Sequence, residues 1–150
     1  MAKKSKVKPH TKKSSITRAI NSIKEAQAEN LVDDEYFLFS LRQFDSTQGE
    51  TFKFWQDNLI LADLMNVLKG YSCSTLKSQV DKNKFTIYGD FPPADKTEFH
   101  HPKHVPEDAR WARIHITGKH ILAGHIVGNV FYIVFLDFHH KFWISNNAEN

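Results

Sequence analysis

The residues able to carry acid–base chemistry crowd into one stretch of the chain. Eight of the nine histidines lie between His100 and His140, together with Arg113, Lys141, Trp111 and Tyr132. A guanidinium keeps its charge and offers a fork of donors to a phosphate. Imidazoles titrate near neutral pH, and indole and phenol rings stack on bases. Convergent, such groups would bind a phosphate, hold a base and move protons. Two histidine runs stand out. His100-His101-Pro102-Lys103-His104 contains an i, i+4 pair, but Pro102 interrupts a helical ligand face, so an exposed polar loop is expected. Asp137-Phe138-His139-His140-Lys141 follows an apolar run directly. There Asp137 and His139 share a direction if the strand continues, and the carboxylate would orient an imidazole. A mixed Asp/His metal site is the alternative at this place. No HExxH, Walker, GxSxG or dinucleotide motif is present. The lone Cys73 excludes an internal disulfide and a Cys-cluster zinc site. No cofactor and no metal are therefore expected.

Strand pairing decides which of these groups can meet. Residues 111–136 alternate as three strands: Trp111 to Ile116, His120 to Val127, and Val130 to Leu136. Gly128-Asn129 is a two-residue hairpin turn. It sets Val127 opposite Val130, His125 opposite Tyr132 and Ala123 opposite Val134. The other face then gathers Leu122, Ile126, Phe131, Ile133 and Phe135, a wholly apolar surface that should cover helices. For the first hairpin, a Thr117-Gly118-Lys119 loop puts Ile116 opposite His120 and Arg113 opposite Ala123. A two-residue loop would reverse that strand and bury Arg113, against the apolar alternation of Ile114 and Ile116. The outward face thus collects Trp111, Arg113, His115, His125 and Tyr132, with His140 or Lys141 at its edge. Arg113, His115, His125, Tyr132, His140 and Lys141 are the candidate catalytic residues.

The remaining elements frame that sheet. Residues 1–13 hold six lysines and little to bury, so they read as a flexible arm. Ser15 to Glu29 carries Ile16, Ala19, Ile20, Ile23 and Ala26 at helical spacing behind Ser15 as cap. The compact domain is expected over 31–145, followed by a polar tail, 146–150. Within it, Glu35 to Phe44 reads as a strand, Leu59 to Lys69 as a helix closed by Gly70, and Ser74 to Lys82 as a second short helix. Thr51 to Trp55 is ambiguous. Residues 84–107, with Pro92, Pro93, Pro102 and Pro106, read as a long loop. The fold class expected is α+β: a basic arm and helix, then strand-helix-helix, then a three-stranded antiparallel C-terminal meander packed on the helices. Charge is divided in the same way. Residues 1–30 have eight Lys/Arg against Glu25 and Glu29, whereas residues 31–95 have ten acidic and six basic side chains. No apolar run approaches the roughly 18 residues of a membrane helix and no signal peptide is readable, so a cytoplasmic protein without membrane contact is expected.

The final stretch, ARWARIHITGKHILAGHIVGNVFYIVFLDFHHKFW, resembles the C-terminal sheet of the RelE/ParE toxin superfamily. Arg113, Gly118, the Gly128-Asn129 turn, FYIVFLD and His140-Lys141-Phe142-Trp143 occupy the places of that family's arginine-bearing strand, turns, apolar strand and basic-aromatic end. The resemblance covers about a third of the chain. It implies a small α+β toxin that cleaves mRNA without metal, usually on the ribosome, and that pairs with a small antitoxin protein. It would make Arg113 the phosphate clamp, His115, His125 and Tyr132 the groups for proton transfer or stacking, and His140 or Lys141 the C-terminal catalytic group. The sequence departs from the family in its net acidic body and in lacking a second sheet arginine. Some members poison gyrase instead. The competing class is a noncatalytic nucleic-acid- or protein-binding module, in which the sheet face docks a partner and the lysine arm adds charge.

Overall fold

A computed structural model of the chain describes residues 14–30, 36–75 and 84–145. The lysine arm, the expected helix over 76–82 and the polar tail lie outside the described residues. The chain divides into two units at Asp34/Glu35. The first contains helix α1 (Ser15–Asn30). Its cap is Ser14, one residue earlier than expected: the Thr17 amide donates to Ser14 Oγ at 3.2 Å. Ile16, Ile20 and Ile23 of the apolar stripe are exposed. No helix among the described residues is long and apolar enough to cross a membrane.

The second unit is α+β. It contains β1 (Leu38–Ser40), α2 (Phe52–Asp57), α3 (Leu61–Ser72), β2 (Phe85–Gly89), a 3-10 turn (Ala94–Lys96), β3 (Arg110–Thr117), β4 (His120–Val127) and β5 (Val130–Asp137). The expected meander β3-β4-β5 is present, but it is the centre of a five-stranded sheet ordered β1-β5-β4-β3-β2. β2 comes from the stretch read as a loop. Its Phe85 and Ile87 pair with Ile114 and Ala112, within a segment too short for periodicity to stand out from the prolines that follow. β1 runs parallel to β5, with Leu38 opposite Val130. It is three residues long because the chain turns away at Ser40, whose hydroxyl accepts the Arg42 amide at 3.2 Å. The expected ten-residue strand over 35–44 is therefore a short edge.

The ambiguous segment is α2, capped by Thr51 Oγ1 accepting the Phe54 amide at 3.1 Å. α2 ends at Asn58, and Leu59 adopts φ 61°, which turns the chain into α3. The expected helix over 59–69 therefore begins two residues later. It also runs through Gly70 to Ser72 rather than stopping there.

Two bulges correct the expected register. β4–β5 pairing starts as derived, with Val127 opposite Val130 and His125 opposite Tyr132, then shifts between Ala123 and Gly124. Ala123 faces Phe135 and Leu122 faces Leu136, so Val134 is the extra residue. Phe135 consequently leaves the helix face for the other one, and Leu136 takes its place. Gly124 allows this because a Cβ there would lie inside van der Waals distance of the Tyr132 carbonyl oxygen and 2.7 Å from Phe131 Cε1. In the β3–β4 hairpin the turn is the two residues Gly118-Lys119, with Thr117 opposite His120. A shift between His115 and Thr117 restores the phase, so Arg113 still opposes Ala123. A short loop and the expected facing of Arg113 coexist because Ile116 is the bulged residue.

Both faces of the sheet are covered. On one side α2 and α3 lie over Phe85, Ile114, Leu122, Ile126, Phe131 and Ile133, with Trp55 and Leu64 inserted. Full burial of each such side chain contributes about 1.5–3 kcal/mol. On the other side residues 90–109 and the segment after β5 lay Phe99, Val105 and Phe142 over Trp111, Ile121, Ala123, Val134 and Phe135. The expected open outer face is thus a second core. Trp111 is fully buried, its ring parallel to Phe135 with centroids 5.9 Å apart.

Candidate functional site

Alternation along β3 puts Trp111, Arg113 and His115 on this second face, as the sequence indicated. Trp111 to His115 spans four residues, about 13 Å of strand. The covering segments split that length into two polar clusters.

The first cluster lies toward the β5 exit. Arg113 Nη1 is 2.8 Å from His140 Nε2, and the His115 and His140 rings are 5.6 Å apart between centroids. The Arg113 guanidinium is half-buried and has no ion pair among the described residues; the two salt bridges there are Lys53–Asp57 and Lys141–Glu98. Its Nε is buried with no hydrogen-bond partner among those residues. The Arg113 carbon Cζ lies 5.8 Å from the Tyr88 ring centroid, in cation–π range. Tyr88 in turn stacks on Trp143 at 4.6 Å with planes 12° apart. Burial pushes the Tyr88 phenol up to about 12; the nearby Arg113 charge opposes this in part, and Asp137 adds to it.

A short backbone framework positions His140. Buried Asp137 accepts the amides of Lys141 at 2.9 Å and Phe142 at 2.8 Å with its two carboxylate oxygens. Glu50 Oε2 accepts the Phe138 amide at 2.7 Å. The turn this fixes holds His140 at φ 58°, a left-handed conformation uncommon outside glycine. Asp137 was expected to orient an imidazole directly; among the described residues it instead shapes the backbone that presents one. Burial raises the Asp137 carboxyl above its ordinary value, against the lowering pull of those two amides and of His140 and His139. The Lys141 ammonium points to Glu98 at 3.4 Å, and its carbonyl accepts the Glu98 amide at 3.1 Å.

The second cluster surrounds His125 and corrects the sequence reading most. His125 is 1% exposed, removed from the open face on which it was expected. Its ring stacks on Tyr132 with centroids 5.0 Å apart and planes 11° apart. His125 Nε2 bonds the Gln43 side-chain oxygen, so Nε2 is the donor and Nδ1 holds the lone pair. That Nδ1 is buried without a partner among the described residues. Burial lowers the His125 pKa from its ordinary value, and neighbouring His101 lowers it further. His104 Nε2 lies 2.8 Å from the Gln43 carbonyl oxygen, and Gln48 exchanges two hydrogen bonds with the His100 backbone at 2.7 and 3.0 Å. The run is a polar loop with His100, Lys103 and His104 exposed, as expected; it is also stitched to residues 43–48, and His101 packs against Phe91 and Trp111.

Of the candidate residues, Arg113, His115 and His140 come together, Lys141 stands beside them in its own ion pair, and buried His125 with half-buried Tyr132 forms a separate pair. Sequence reasoning missed Tyr88 near the arginine and Gln43 at His125, and gave Trp143 only as part of the basic-aromatic end. The basic-aromatic HHKFW run was the one available pointer to Trp143. Among the described residues no group of three or more His, Cys, Asp or Glu is arranged to hold a metal ion. Chemically, the first cluster offers a tetrahedral oxyanion one permanent charge and two imidazoles, with a stacked aromatic pair alongside. Comparison with known proteins finds no matching family model, curated protein or solved structure.

Proposed function

We propose that this chain is a toxin-like RNA endonuclease that cuts by metal-independent acid–base chemistry, with Arg113, His115 and His140 as its catalytic residues. The observation that carries the reading is the half-buried Arg113, without a carboxylate partner among the described residues, bonded to one imidazole whose ring lies 5.6 Å from a second. Arg113 holds the scissile phosphate and stabilises the charge that builds on it. His115 takes the proton from the ribose 2′-hydroxyl, whose oxygen attacks phosphorus. The bond from phosphorus to the 5′ oxygen breaks, and His140 gives that oxygen a proton. The products are a 2′,3′-cyclic phosphate and a 5′-hydroxyl. The resemblance to the RelE/ParE superfamily supports the same reading and adds a ribosomal setting and a small antitoxin as partner. His125 and Tyr132 support the site from within the fold.

The test is cleavage of RNA, free and on translating ribosomes, by the full chain. Activity should survive EDTA and end in a cyclic phosphate. The rate should be bell-shaped in pH, because the base imidazole must be neutral and the acid imidazole protonated. Loss in EDTA with rescue by a divalent metal would refute the mechanism. The stacked Tyr88–Trp143 pair beside Arg113 favours a second reading, a noncatalytic nucleic-acid-binding module. Arg113-dependent RNA binding with no cleavage would select it.

A further inference from the structure

Arg113 and His140 hold one another through one guanidinium donor, a state that a phosphate taking that Nη1 donor would undo. A guanidinium has donors only. The 2.8 Å contact therefore makes His140 Nε2 the acceptor and leaves the ring proton on Nδ1. While that bond stands, His140 is neutral, because a proton on Nε2 would face the donor of a cation. The surrounding charges act in both directions. From β3 come the Arg113 guanidinium and the His115 ring. From the turn itself come His139, Lys141 and the buried Asp137, which attracts positive charge on His140. From β2 comes Tyr88, beside the arginine. Glu98, on the segment that runs alongside, is paired with Lys141.

An oxyanion reverses the balance. It takes over the Arg113 donors, which frees the Nε2 lone pair, and it brings negative charge that favours a proton there. Resting on the RNA reading above, we propose that the site binds a phosphodiester together with one proton, which His140 Nε2 takes from solvent. One N–H bond forms and nothing in the ligand breaks. The substrate's own phosphate thus arms His140 as the general acid, and the ring stays uncharged until the phosphate is in place. Left-handed His140, fixed by the Asp137 and Glu50 hydrogen bonds, is the positioned element that makes the exchange local.

The probe is a short single-stranded oligodeoxynucleotide. Its diester phosphates do not titrate between pH 6 and 8.5, and it lacks the 2′-hydroxyl that cleavage requires. Binding to the full chain is followed by fluorescence anisotropy at constant ionic strength. Calorimetry in two buffers of different ionisation enthalpy counts the protons taken up. His140→Asn is the comparison: asparagine tolerates a left-handed backbone, cannot titrate in this range, and with its amide at the place of Nδ1 puts no group where Nε2 meets Arg113. The lysine arm and the other histidines contribute alike to both proteins. Wild type should gain up to about tenfold in affinity per unit fall in pH beyond what His140→Asn gains, and should take up one proton more. Equal pH slopes, with Arg113→Ala still weakening binding, would overturn the proton linkage and leave the phosphate site standing. Wild-type binding by Arg113→Ala would overturn both. Absence of proton uptake by wild type would overturn the linkage without any variant.

Discussion

Replacing Gly124 by alanine tests the frame on which the site is hung. Gly124 sits where β4 crosses the Val134 bulge. A Cβ built there lies 2.9 Å from the Tyr132 carbonyl carbon, closer still to its oxygen, and 2.7 Å from Phe131 Cε1. The Phe131 ring is fully buried, and the carbonyl belongs to a central strand, so neither neighbour has room to give. Inserting one methyl into a packed interior costs about 1–3 kcal/mol. With a main-chain oxygen as the obstacle, the upper end applies. Glycine itself costs about 0.5–1 kcal/mol against alanine through chain entropy, which offsets part of the loss. A net destabilisation of about 2 kcal/mol or more follows, or roughly 4–8 °C in Tm for a domain near this size. Gly70→Ala is the matched control. It lies inside α3 with no atom within 4 Å of a built Cβ, so alanine should gain up to about 1 kcal/mol there. Both variants are read by urea unfolding at pH 7.5. If Gly124→Ala is as stable as wild type while Gly70→Ala behaves as expected, the close approach is absent. The bulge, and with it the relocation of Phe135 to the second core, would then be wrong.

Two further predictions concern titration and capping. His125 is held neutral by burial, so as pH falls below the reference value of about 6.5 the unfolded chain takes a proton that the folded one refuses. Stability is therefore lost with falling pH until the lowered folded value is reached, at no more than about 1.4 kcal/mol per pH unit. Denaturant midpoints at pH 7.5 and 5.5 should draw together in His125→Gln, and an unchanged gap would refute the assignment. Asp137→Ala strands two amides in the turn that carries His140, where bonds to a charged acceptor contribute about 1.5–3 kcal/mol each. Relief of a buried carboxyl offsets part of this, so a loss of about 2–4 kcal/mol is expected, together with loss of Arg113-dependent nucleic-acid binding. Asp137→Asn keeps one acceptor and should fall between. The Asp137 carboxyl is raised, so from about 3.8 up to its folded value the native state binds the extra proton and stability falls as pH rises. That sign is opposite to the His125 effect, and Asp137→Asn removes it.

What could be read from the sequence was the local pairing, and what could not was the covering. The Gly128-Asn129 turn was enough to set His125 against Tyr132, and that pair is present. Arg113 was set against Ala123 through a three-residue loop, and the pair is present because the bulge at Ile116 offsets the shorter turn. The bulges escaped because a single extra residue, Ile116 or Val134, is as apolar as the pattern around it, and nothing in its type marks it as unpaired. β2 and the parallel β1 escaped for a related reason: five and three residues are too few for a period to show. The second core escaped because Phe99, Val105 and Phe142 come from irregular segments with no repeat. A polar-looking sheet face therefore reads as open in the sequence, although aromatic side chains lie across part of it. That covering also divides the candidate site. Where Phe99 and Phe142 close over Trp111, an imidazole is sealed, neutral and structural. Past their edge, where the turn after β5 lifts His140 toward Arg113, the same face keeps a charged group without a carboxylate partner among the described residues. A half-buried charge without such a partner is costly to keep for stability alone. The arginine is accordingly the side chain whose removal should be felt first in binding, whereas removal of His125 should be felt first in folding.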